Sequence, residues 1–190
     1  MLNRLILNWV YGGALAGLLL LLMAPMLVGT WEAAFALTFL HLPVYMLHQL
    51  EEHDADRFRN FFNSTIGKGR ELLTHGMVFI VNVPGVWGVI AVALYLAIFK
   101  DLGFALIAVY LVLVNAFVHA AHALIFKCYN PGLISALLVF VPFGVYSLET
   151  INATGAGTRE FHIIGFVTAF AIHAAILVYV KVRMVKLGKA

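Results

Sequence analysis

His48-Gln49-Leu50-Glu51-Glu52-His53 places one imidazole and two carboxylates at the end of a long apolar run, where a membrane protein tolerates charge least. On a helix turning by about 100° per residue, Glu51 and Glu52 fall about 60° to one side and about 40° to the other of His48, so all three share one face. His53 falls about 140° round on the same count and is expected to point away, at the interface. Two adjacent acids beside a histidine at a bilayer boundary need a cation, a proton or water. At a helix C-terminus they are further disfavoured by the helix dipole. A divalent metal meets the need most directly, and imidazole and carboxylate donors without thiolate suit iron, zinc or manganese. The single cysteine, Cys128, gives neither a disulfide framework nor a Cys-based metal site.

These residues sit in a chain of 190 residues that is 63% hydrophobic and only 11% charged, against about 25% charged in a soluble domain. The expected fold is all-α: a single polytopic transmembrane domain built as a six-helix bundle. Apolar runs of spanning length fall at roughly 5–29, 32–52, 75–99, 102–126, 132–149 and 161–182, with a polar loop at 53–74. Asn82-Val83-Pro84-Gly85 predicts a kink in the third run. The first run is too long for a cleaved signal and is read as a retained helix. With six spans, ten basic residues (Arg4, Arg57, Arg59, Lys68, Arg70, Lys127, Lys181, Arg183, Lys186 and Lys189) share one side, and Lys100 and Arg159 the other. That bias predicts an inner or plasma membrane protein with both termini and the 53–74 loop cytoplasmic. The basic residues follow topology and form no single patch, so no nucleic-acid partner is expected.

Topology gives each polar residue a depth. At about 1.5 Å of rise per residue, His48 lies about 6 Å from the cytoplasmic end of its helix, His122 about 6 Å, His119 about 10 Å and His173 about 12 Å, and His75 opens the third helix there. Histidines from four helices thus occupy one half-layer, with Glu51 and Glu52 at its rim. Asn115, His119 and His122 form a single polar stripe within about 60° of arc. His41 lies on the face of His48 two turns deeper, and Tyr45 flanks that line. The expected metal ligands are His48, Glu51, Glu52, His75, His119, His122 and His173, with Glu51 and Glu52 also as catalytic acid–base groups. His41, Tyr45, Asn115, Tyr129 and Asn130 support them, the last two from the Cys128–Gly132 turn. His162 falls near the outer surface and, like His41, is read equally as a helix-packing hydrogen-bonder.

His48-x-x-Glu51-Glu52, together with Asn115-x-x-x-His119-x-x-His122 and Tyr129-Asn130-Pro131-Gly132, resembles the HXXEE-motif family of small integral membrane proteins over residues 35–180. The resemblance implies an architecture and a motif but no reaction, because the family's function is undefined. Membrane fatty-acid hydroxylases and desaturases also cluster histidines around two irons, but their HxxxH and HxxHH boxes are absent here. The inverted zinc-protease motif HxxEH needs histidine where this chain has Glu52.

The expected function is a metal-dependent integral membrane enzyme acting on a lipid-like or hydrophobic substrate from the cytoplasmic side. A His/Glu-ligated iron oxidoreductase is placed slightly ahead, with a di-iron centre as one form of it. One alternative is a zinc hydrolase in which a spare glutamate deprotonates metal-bound water. The other is a proton- or metal-ion transporter, against which the sparse polar content of the outer half argues.

Overall fold

The computed structural model describes residues 1–188; Lys189, counted in the charge bias, lies outside the described residues. Six helical stretches are long and apolar enough to cross a membrane, and the chain is an integral membrane protein. We label the helices α1 (Leu2–Val28), α2 (Ala33–His53), α3 (Arg57–Thr65), α4 (His75–Phe99), α5 (Leu102–Phe126), α6 (Leu133–Ala153) and α7 (Arg159–Gly188). α3 is the short amphipathic one, lying within the expected 53–74 loop. α6 runs past the expected stop at Glu149 to a turn at Gly155 (φ +82°). α7 runs past 182 to Gly188, and on this extension Arg183 Nε donates to the Glu71 carbonyl at 2.8 Å.

α5 is the central strut. Leu106, Ala108, Val109, Leu111 and Val112 are completely buried, forming an apolar plug through its first half. Below the plug comes the polar stripe of Asn115, His119 and His122, so one helix carries both the apolar plug and the polar stripe. α1 packs on α2 by small residues: a Cβ on Gly17 would stand 2.9 Å from Met46 Cβ and 3.0 Å from the Pro43 carbonyl. Such close approach is the usual driving contact between helices in lipid, where burial of apolar surface contributes little.

The kink expected at Pro84 takes the form of a π-helical turn over Val81–Trp87. Proline supplies no N–H and clashes with the carbonyl one turn back, so the ladder widens. The loosened turn is pinned by a buried relay. Trp87 Nε1 donates to Gln49 Oε1 at 2.6 Å, Gln49 Nε2 to Asn82 Oδ1 at 2.8 Å, and Asn82 Nδ2 to the Val78 carbonyl at 2.8 Å. Every member is satisfied, which fixes α4 against the end of α2.

α2 ends just past His53, and Ala55 (φ +50°) and Asp56 (φ +61°) adopt left-handed backbone. That break folds α3 back beneath the bundle, where Phe62 packs with Leu72, Leu73, Val78, Trp9 and Val10. The charged rim of this end is held by Arg59, which bonds Asp56 at 2.6 Å and Glu71 at 3.1 Å. Exposed pairs of this kind contribute about 0–1 kcal/mol each; the apolar seat of α3 carries more.

Candidate metal centre

The two neighbouring glutamates have different partners. Both flank His48 on the helix, but Glu52 leans toward α5 and Glu51 toward the start of α6. Glu51 accepts from Tyr129 Oη at 2.8 Å, from the backbone N–H of Ile134 at 3.2 Å and of Ser135 at 2.7 Å, and from the Ser135 hydroxyl. Four donors fill the acceptor capacity of a carboxylate. Glu51 is therefore a cap for α6, well placed against the positive end of its dipole, and does not enter the cluster. Outside the membrane-spanning segments, the Tyr129 phenol is pushed above its ordinary pKa by burial and by the bond to Glu51.

Glu52 is buried and faces three imidazoles. Its Oε1 stands 3.5 Å from His119 Nε2, and its Oε2 stands 3.6 Å from His48 Nε2 and 3.1 Å from His53 Nε2. Among the described residues, His48, Glu52 and His119 form the one group whose donor atoms all lie within 4.8 Å of one another. The His48 and His119 rings meet edge to face at 5.3 Å.

Hydrogen bonding fixes which nitrogen of each ring faces the cluster. The only hydroxyl proton of Ser135 is spent on Glu51, so its oxygen accepts from His48 Nδ1–H at 2.8 Å. Asn130 Nδ2 donates to the His119 carbonyl at 3.0 Å, which turns Oδ1 to accept from His119 Nδ1–H at 2.6 Å. Both rings, when neutral, carry their proton on Nδ1 and aim an Nε2 lone pair at the Glu52 carboxylate. His48 Nε2 is buried with no hydrogen-bond partner among the described residues. With both rings neutral, the three electron-rich atoms repel one another, and a metal cation at their centre resolves the conflict, as a shared proton would. Nitrogen and oxygen donors on zinc, at about 2.0–2.2 Å from the ion, stand roughly 3–3.6 Å apart, which the two Glu52–imidazole distances of 3.5 and 3.6 Å match. Orientation of each ligating imidazole by a hydrogen bond on its far nitrogen is the usual outer-shell arrangement of metal-binding histidine.

The turn before α6 closes over this cluster. Gly132 has φ +96°, and a Cβ there would meet His119 Cε1 at 2.7 Å and His48 Cε1 at 3.1 Å. Tyr45 packs edge-on against His48 at 5.6 Å, and Phe140 lies over its ring at 4.2 Å. Beside the cluster opens a cavity of about 300 Å³. Its polar lining is Tyr45, Glu52, His53, Asn82, Asn115, His119, His122 and His173.

The remaining expected residues divide between this cavity and other places. His122 and His173 line the cavity but do not converge with the three donors; His173 Nδ1 donates within its own helix to the Ala169 carbonyl at 2.8 Å. Asn115 lines it with a buried, unpartnered Oδ1. His75, placed in the cluster by depth alone, is instead held at the rim by Asp56 at 3.2 Å, because the left-handed turn at Ala55–Asp56 swings that carboxylate across. His41 donates to the Leu37 carbonyl at 2.8 Å and packs on Phe143 at 4.6 Å, apart from the cluster. His162 bridges Tyr110 at 2.8 Å and Asn152 at 3.1 Å near the opposite end of the bundle.

Three residues of the site escape sequence reasoning in whole or in part. His53, expected at the interface, is buried between Glu52, Trp9 and Phe58; its adjacency to Glu52 is the available signal. Gly132 is readable as a turn glycine but not as a roof. Ser135 carries no sequence signal.

Within residues 39–147 the chain matches the model of a family described as "Protein of unknown function with HXXEE motif". No curated protein and no solved structure matches the chain. The matched segment holds His48, Glu51, Glu52, His119, Asn130 and Ser135, that is, both carboxylates, the two locked imidazoles and the groups that lock them. The chain therefore belongs to the HXXEE-motif family of proteins of unknown function, its motif being His48-Gln49-Leu50-Glu51-Glu52.

Proposed function

We propose that the protein is a metal-dependent membrane enzyme, its metal held by His48 Nε2, His119 Nε2 and Glu52, acting on a hydrophobic substrate held in the adjoining cavity. The observation that carries this reading is the pair of imidazoles fixed by Ser135 and Asn130 so that both lone pairs meet one buried carboxylate. The charge bias supports a centre toward the cytoplasm, with both termini on that side.

Two imidazoles and one carboxylate, with other positions open, make up the donor set of non-haem iron oxygenases. Bound iron would supply one-electron and O₂ chemistry, and a largely apolar cavity would keep water from the reaction. We place an iron oxidoreductase first on the role of Glu51. A hydrolase needs a base beside the metal to take the proton of water, and Glu51 is spent on α6. The same donor set also serves zinc hydrolases, so a zinc enzyme drawing its base from His53 is the second reading. A transporter is disfavoured by the apolar run of α5 from Leu111 to Val114, which lies between the Tyr110–His162–Asn152 group and the polar stripe beginning at Asn115.

The test is anaerobic loading with Fe(II) followed by O₂. An optical change dependent on O₂ in the native protein, absent from Glu52→Gln, supports the oxidoreductase. Selective uptake of zinc with no response to O₂ moves the reading to the hydrolase.

A further inference from the structure

The cavity opens sideways. Phe117 and Ile125 on α5 and Leu177 on α7 line it while being 72%, 70% and 60% exposed. These residues lie within spans whose surroundings are lipid, so the mouth between α5 and α7 faces the acyl region of the bilayer and not water. Along α5 the lining runs from Asn115 to Ile125, ten residues or about 15 Å at helical rise. An elongated apolar slot of this kind suits a single chain better than a compact ring system.

The polar groups within the slot restrict the head of that chain. Among the described residues, Asn115 Oδ1 is buried without a partner, as is His122 Nδ1. His173 spends its Nδ1–H on the Ala169 carbonyl, so its Nε2 is left as an acceptor. A buried acceptor, Asn115 Oδ1, and a half-buried one, His173 Nε2, line the one cavity from α5 and α7 with no partner among the described residues. Acceptors left unmet in an apolar cavity are costly. Their natural complement is a ligand that donates a hydrogen bond.

We infer that this cavity is the binding site of a single-chain amphiphile of the long-chain alcohol class, which enters from the bilayer between α5 and α7 and sets its hydroxyl at Asn115, donating to Oδ1, on the side of the cavity lined by His173 and Glu52. This deepens the enzyme reading by naming its substrate class. Binding itself stands apart from that reading; only the turnover of the bound alcohol rests on it.

The experiment uses the full chain in lipid nanodiscs, with and without chelator treatment, and a long-chain primary alcohol bearing a mid-chain diazirine. Photolabelling should map to α5 around Phe117–Ile125 and α7 around Ile172–Leu177. Unlabelled dodecanol should displace the probe, and the methyl ether of the same chain should do so at least tenfold more weakly. Asn115→Leu should narrow that alcohol–ether difference. Labelling spread evenly over lipid-facing helices overturns the proposal, as does equal competition by alcohol and ether in the native protein, a comparison that needs no variant. Metal content measured on the same samples separates this outcome from failure of the metal centre, since labelling is expected to survive chelation.

Discussion

Glu52 Oε1 stands 3.5 Å from Nε2 of His119, a ring whose other nitrogen is already committed to Asn130. A neutral imidazole so fixed presents a lone pair to a carboxylate in a buried site, a repulsion that a proton or a metal cation between them relieves. In the proposed centre, replacing either partner removes a ligand. Glu52→Gln and His119→Ala are each expected to purify without bound metal, while His162→Ala, bonded to Tyr110 and Asn152 far from the cluster, keeps its full complement.

Glu51 separates a positioning role from a catalytic one. Its carboxylate acts on His48 only through Ser135, so Glu51→Ala should weaken metal affinity by about 10–100-fold, the usual effect of losing an outer-shell partner. Loss of the α6 cap should cost a further ~1 kcal/mol of stability. A general base would behave otherwise: metal affinity unchanged, turnover abolished. Metal titration of the purified variant distinguishes the two.

Gly132→Ala tests the roof. Alanine in left-handed backbone costs about 1–2 kcal/mol, and its methyl would stand 2.7 Å from the His119 ring. The variant should fold with a lowered melting temperature and lose metal. Gly69→Ala supplies the control: it has similar backbone (φ +84°) but meets nothing within 4 Å, so it should carry the strain and keep the metal.

Tyr129 gives the alkaline limit. Its folded pKa is raised, first by burial and then by the bond to Glu51, so the neutral phenol is favoured by folding. The stability this contributes is complete below the unfolded value of about 10 and is lost as pH rises through the folded one. The native protein should therefore lose stability above pH ~10 more steeply than Tyr129→Phe, as read by thermal melts across that range.

Much of this centre is legible in the sequence because helical periodicity and topology together fix depth. His48, Glu52 and His119 fall in one layer from residue counts alone, and Asn130 is their neighbour from its place after the fourth span. Depth leaves azimuth open, however. His75 shares the layer but turns to Asp56, because two left-handed residues at Ala55–Asp56 redirect the chain. Glu51 and Glu52 are nearly equivalent on a helical wheel; the start of α6 decides between them. Ser135 and Gly132 matter only through that same packing, which no local pattern encodes.

The most direct measurement is elemental analysis of the detergent-purified protein, expressed with iron, zinc and manganese all supplied. The three-ligand centre predicts about one transition-metal ion per chain, lost in Glu52→Gln and His119→Ala and kept in His162→Ala. Protein free of metal, or equal metal in all three variants, would contradict it.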